Sequence, residues 1–214
     1  MAHLSLVKTL SRIKEEQKYS DEILLESAGL ALSRGTLTEV VGSSGKTSLS
    51  LSLLSKLTQE GEICAVVDAT NSFDPCSAVL AKVELENLLW VKCDGDIEHA
   101  FMATDYLVQA KGFGAVWLNL NGVLKQQLRF VPKTFWYRYR NRIKETPTLL
   151  LVTAPEPIAG SASQDTFVFS RERVVWSGVG RFKLLREFHL SLHSRKEFYG
   201  KPLLIKTERD YTDV

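Results

Sequence analysis

Three observations predict an α/β fold: a mainly parallel sheet with helices on both faces, extended by antiparallel strands at the C-terminal end. Short apolar runs such as 63–67 (ICAVV) and 149–152 (LLLV) alternate with segments whose apolar residues recur every three or four positions. Runs of that kind have no polar face, as befits strands covered on both sides. A glycine-containing loop stands between one such strand and the helix that follows it. Past residue 155 the helical spacing gives way to period-two alternation, the pattern of antiparallel strands or hairpins.

The chain has 214 residues, 44% hydrophobic and 24% charged, enough for a sizeable buried core. No apolar run approaches the roughly 20 residues of a membrane helix, and the first residues lack the basic-then-apolar order of a secretion signal. A soluble, cytoplasmic protein with no membrane partner is the expectation. Charge is unevenly divided: residues 1–120 carry 10 lysines and arginines against 16 acids, and residues 121–214 carry 17 against 9. The basic second half suits an anionic partner, single-stranded DNA among them, and equally a merely solvated surface. Cys64, Cys76 and Cys93 stand singly among apolar neighbours and are expected to be small core residues. His189 and His193 share a strand face, but no third ligand accompanies them, so no metal site is expected.

In order along the chain, residues 1–20 place Leu4, Leu6, Val7, Leu10 and Ile13 on one side of an amphipathic helix. With the apolar stretch that follows, residues 1–29 form an expected N-terminal helical segment. Strands are predicted at 37–41, 63–67, 88–91, 115–118 and 149–152. Helices are predicted at 48–59, 76–83, 97–110 and 132–144, the first apolar over much of its circumference and so packed on two sides. Further strands are expected at 166–169, 173–176, 187–193 and 203–207. The expected division is a helical segment to residue 29, a core over 30–155, and a strand extension of the same domain over 156–214.

The loop after the first of these core strands reads Gly42-Ser43-Ser44-Gly45-Lys46-Thr47, with Ser48 opening the helix. Strand, loop ending Gly-Lys-Thr, and helix form the arrangement in which backbone N–H groups and a helix N-terminus cradle a polyphosphate. Lys46 would reach the terminal phosphates and Thr47 a magnesium ion. Gly42, Ser43, Ser44, Gly45, Lys46, Thr47 and Ser48 are therefore the candidate nucleotide-binding residues. The full motif has a glycine five positions before Gly45, where Val40 stands; counted from Gly42, the loop is about two residues short.

This loop, together with Thr38-Glu39-Val40-Val41, the stretch from Gly61 to Ala69 and Phe73-Asp74-Pro75, resembles the RecA family of P-loop recombinases. With Leu88-Leu89-Trp90-Val91-Lys92-Cys93 and Phe135-Trp136-Tyr137-Arg138 added, the chain resembles more closely the short RecA-like proteins of the ImuA group. The resemblance implies a RecA-like core and ATP with Mg²⁺ as cofactor, held weakly or not at all. It also implies a scaffold role in error-prone translesion synthesis within the SOS response. The implied partners are a Y-family-like polymerase protein, RecA, or both.

Against the RecA pattern, Thr70 occupies the place of the glutamate that polarises the attacking water, and Asn119 that of the magnesium-directing aspartate. The last core strand, ending Val152-Thr153-Ala154-Pro155, lacks the glutamine that senses the terminal phosphate. Losing one well-placed catalytic group removes roughly two to four decades of rate, so no catalytic residue is assigned. Three states of the loop stay open: hydrolysis, binding without turnover, and a purely structural remnant. The alternative function is a nucleotide-dependent, RecA-type DNA-binding ATPase in recombination or repair.

A basic and aromatic helix follows, with Phe135, Trp136, Tyr139 and Ile143 on one face and Arg138, Arg142 and Lys144 on the other. The first face suits the core. The second supplies candidate nucleic-acid or partner contacts.

Overall fold

The computed structural model describes residues 21–177, 184–194 and 203–208. The sequence also carries glycine-bearing turn signals at 177–180 and 199–202; these and the amphipathic helix expected over 1–20 lie wholly or almost wholly outside the described residues.

Among the described residues, eight strands make one sheet. Its parallel core comprises β3 (Leu37–Gly42), β4 (Cys64–Asp68), β5 (Leu88–Lys92), β6 (Ala115–Asn119) and β7 (Leu149–Ala154). β8 (Asp165–Ser177) joins parallel to β3, and β9 (Leu184–Ser194) and β10 (Leu203–Glu208) continue antiparallel. The spatial order is β10-β9-β8-β3-β7-β6-β4-β5. β3 and β4, consecutive in sequence, are thus separated by two later strands. The carboxyl ends of β3, β4, β6 and β7 face a common crevice, the usual place for a ligand in such a sheet.

Alternation along each strand divides the core into two layers. Val40, Val66, Trp117, Leu149 and Leu151 point to the side covered by α1 (Lys46–Gln59). Val41, Val67, Leu118, Leu150 and Val152 point to the side covered by α3 (Ile97–Ala110) and α5 (Lys133–Ile143). Two shorter helices, α2 (Pro75–Leu80) and α4 (Lys125–Arg129), follow β4 and β6. The helix α4 lies in a stretch where no element was expected. No described helix is long and apolar enough to cross a membrane.

Two-sided packing of α1 holds: Leu49, Leu53, Leu54 and Leu57 join a cluster that includes sheet residues and Ile23, Leu25 and Leu32. Gly61 ends the helix with φ +81°, its N–H bonding Thr58 O while Glu62 N–H bonds Leu57 O. This is a left-handed cap of the Schellman type.

Residues Ile23, Leu25 and Leu32 come from a hairpin, not a helix, which corrects the helical expectation where it reached past residue 21. β1 (Glu22–Leu25) pairs with β2 (Leu30–Ser33) across a short 3₁₀ turn that Gly29 closes at φ +60°. Burial alternates along β1, a period-two pattern that a helix cannot present to one neighbour. Cys64 and Cys93 are buried as expected, and burial pushes the Cys64 thiol up to about 12. Cys76 is exposed, because the short α2 buries only Ala78.

Candidate functional site

The loop sits where β3 meets α1. Gly42 pairs with Phe169 of β8, at φ +119°, and Gly45 turns the chain into α1 at φ +83°. A Cβ on Gly42 would lie 2.1 Å from the Phe169 carbonyl oxygen, so the close approach of β8 requires glycine there. The residues 43–48 line one wall of a cleft of about 300 Å³, with Ser72, Asn121 and Gly122 on the other. All seven candidate nucleotide-binding residues thus lie at one point of the fold.

Lys46 Nζ donates to the Ala154 carbonyl at the end of β7, 3.1 Å away. Burial pushes its ammonium below the usual lysine range. A partly desolvated cation gains from an anion placed beside it. On the other side of the loop, Arg171 Nη2 of β8 donates to Ser44 Oγ at 3.3 Å.

The positions where acids were missed are engaged with neighbours. Thr70 donates its hydroxyl to the Asn121 carbonyl at 2.5 Å. Asn119 is buried, and its Oδ1 accepts from Thr153 Oγ1 (3.1 Å) and Asn121 N–H (3.2 Å). Its Nδ2 donates to Ser72 Oγ (2.9 Å) and, at 3.4 Å, to Asp68. Thr153 Oγ1 also accepts from the buried Trp117 Nε1 at 2.9 Å. The carboxylate of Asp68 caps the turn after β4 through the N–H groups of Ser72 (3.0 Å) and Phe73 (2.8 Å). These side chains form a closed polar network.

Asn119→Asp should therefore destabilise the fold. It exchanges a donor for a second carboxylate beside Asp68, and the expected loss at neutral pH is about 1–3 kcal/mol. Acidification should restore part of it, since protonating one oxygen returns a donor. Urea unfolding at neutral and mildly acidic pH reads both effects.

A second anchor was not anticipated. Glu39 of β3 is fully buried; its Oε1 accepts from the N–H groups of Ile158 and Ala159, both at 2.7 Å, and its Oε2 from Thr166 Oγ1 at 3.1 Å. A charged residue inside an apolar strand was the available signal, but its partners are 119 to 127 positions away. The segment it holds also meets α5, where Tyr137 Oη bonds Ser161 Oγ at 2.5 Å, and α4, where Lys125 and Arg129 pair with Glu156.

The basic helix resolves into two faces as expected. Trp136, Tyr139 and Ile143 are buried, and Tyr139 Oη donates to the Phe101 carbonyl at 2.6 Å; burial drives its phenol well above the usual range. Of the three candidate contacts, Arg138 and Arg142 share the Asp105 carboxylate of α3, Arg138 Nε at 3.0 Å. They brace α5 against α3, which reduces the charge they offer to a partner. Lys144 is largely exposed.

The parallel order, the loop at the head of α1 and the crevice beside it define a P-loop protein of the RecA type. The RecA N-terminal domain family matches residues 14–124, and the chain belongs to that family. It is 42% identical over 81 residues to Protein RecA of Rhizobium leguminosarum bv. viciae, a stretch covering 37% of this chain and 23% of that protein. Protein RecA of Brucella anthropi and of Brucella canis give the same identity over the same length, with 22% of each covered. The aligned region thus spans less than a quarter of these curated relatives.

Proposed function

We propose that this chain is a non-hydrolysing RecA-like accessory of DNA-damage tolerance, a scaffold of the ImuA kind for error-prone translesion synthesis in the SOS response. It acts in the cytoplasm beside a Y-family-like polymerase protein, RecA, or both, and the basic second half supplies its contact with single-stranded DNA. Residues 30–155 are its RecA-like core and 156–214 an extension of the same domain.

The observation that carries this reading is the engagement of Thr70 and Asn119. Neither side chain has a carboxylate to offer, and each is bonded to protein groups at the place where hydrolytic chemistry would need it. General-base and metal-directing roles both require an acid that is free to act. The segments 120–131 and 156–165, which follow β6 and β7, are joined by the Lys125 and Arg129 pairs to Glu156. That cross-link suits a fixed surface better than a pair of DNA-gripping loops.

Phosphate release is the test. Background rates are expected with and without single-stranded DNA, unchanged in Lys46→Ala, together with recovery of a polymerase protein when the chain is isolated from its own cell. DNA-stimulated turnover that Lys46→Ala abolishes would replace this reading with the recombinase-like ATPase.

A further inference from the structure

We propose, resting on the scaffold reading, that the apolar groove between α3, α4 and α5 docks a short amphipathic helix of a partner protein. That helix carries a base at one end of its apolar stripe and an acid at the other.

The groove encloses about 610 Å³, and its lining runs from the buried Phe101 through the half-buried Val131 and Phe135 to Met102 and Phe130. Phe130 is 85% exposed and Met102 51%. Large apolar side chains left in water around one concavity mark a contact with another protein. The groove is also formed in advance. Phe101 packs edge-on against Phe135 and Trp136, with ring centres 5.5 and 5.1 Å apart, and Lys125 and Arg129 tie α4 to Glu156. A site already in shape loses little freedom when it is filled.

The walls decide the kind of occupant. The lining comes from α3, α4, α5 and the turn between the last two, so no strand edge is presented for an extended peptide to pair with. Side chains alone make the contact, which suits a helix laying an apolar stripe into the groove.

Charge sets the pattern of that helix. Glu98, exposed in the first turn of α3, lines the groove. Toward the other end the Arg138 guanidinium lies over the Phe135 ring, 4.5 Å from its centre. Arg138 and Arg142 share the single carboxylate of Asp105, so that end keeps an excess of positive charge. Asp105 lies seven positions beyond Glu98 on α3, roughly 10 Å along the helix axis. The complementary helix therefore holds its base and its acid about two turns apart, the base facing Glu98 and the acid facing Arg138. Nucleic acid is a poorer match. Glu98 repels phosphate, and Arg138 already covers one face of the Phe135 ring on which a base would stack.

Fluorescence anisotropy with stapled helical peptides of about 16 residues tests the pairing. All carry the same leucine stripe. Beside it, seven positions apart, one has a lysine and a glutamate, the second two glutamates, and the third two lysines. The mixed peptide is expected to bind, and each of the others to bind roughly tenfold more weakly or worse. Phe130→Ser should weaken the mixed peptide by roughly tenfold or more, and Glu98→Lys should move the preference to the peptide with two glutamates. Both positions are exposed, so thermal melts of the two variants should match the parent. No binding of the mixed peptide, equal binding of all three, Phe130→Ser that binds like the parent, or Glu98→Lys that keeps the parent's preference would each overturn the proposal. So would displacement of the peptide by an oligothymidine, which assigns the groove to nucleic acid, or a parent dimer that Phe130→Ser dissolves, which assigns it to a second copy. Failure of the scaffold reading shows separately, as DNA-stimulated phosphate release that Lys46→Ala abolishes.

Discussion

Glu39→Ala is expected to lower the unfolding free energy by about 3–5 kcal/mol, measured by urea denaturation. Two N–H groups and a hydroxyl converge on this one buried carboxylate, and truncation leaves all three without an acceptor. The loss should concentrate where those donors lie. Amide hydrogen exchange at Ile158 and Ala159 should accelerate far more than exchange in β6 or β7. Glu39→Gln is the control: its amide oxygen can still accept both N–H groups, and Thr166 can accept from the new amide. If Gln proves as damaging as Ala, the anchoring role assigned to Glu39 is wrong.

Gly42→Ala is expected to cost about 3–5 kcal/mol, combining left-handed backbone strain with a forced separation of strands. The added methyl would fall 2.1 Å from a backbone carbonyl, which cannot swing aside as a side-chain tip can. β3 and β8 must part at that pair, displacing Arg171 from Ser44. A thermal melt within a few degrees of the parent would contradict the close approach. Gly61→Ala makes a useful comparison, since it carries positive φ with open space around it. Its cost should be the strain alone, about 1–2 kcal/mol.

Most of the strand and helix positions were legible because buried parallel strands are apolar on both faces and their helices carry a regular stripe. The helix expected over 97–110 is observed over the same residues, and the core strands agree to within two residues. The hairpin at 22–33 was obscured by its composition. Ile23, Leu24 and Leu25 are consecutive apolar residues, so only burial distinguishes the covered pair from the exposed Leu24 between them. Gly29, needed in a left-handed turn, was the local clue. In the long β8, the expected separate strands 166–169 and 173–176 are one element carrying an irregularity between Arg171 and Arg173.

The candidate site was legible where chemistry is local and hidden where it is not. Lys46 and the other candidates lie in seven consecutive positions, and their placement follows from the strand before and the helix after. The approach of Arg171 depends on a register 127 positions removed from Ser44. The bracing of Arg138 and Arg142 by Asp105 likewise depends on how α3 and α5 meet, which residue spacing within α5 cannot disclose.

The polar network around Asn119 also bears on which side chains the cleft can accept. An acid at position 119 would lose the donor that now serves Ser72 and would set a second carboxylate beside Asp68. An acid restored at position 70 would need the space beside Gly122, whose Cα direction already points to the Thr70 hydroxyl at 3.0 Å from an added Cβ. Each single acid is opposed by the neighbours as they stand. An acidic centre at these two positions would require several substitutions in concert, so the polar network acts as a lock on the chemistry of the cleft.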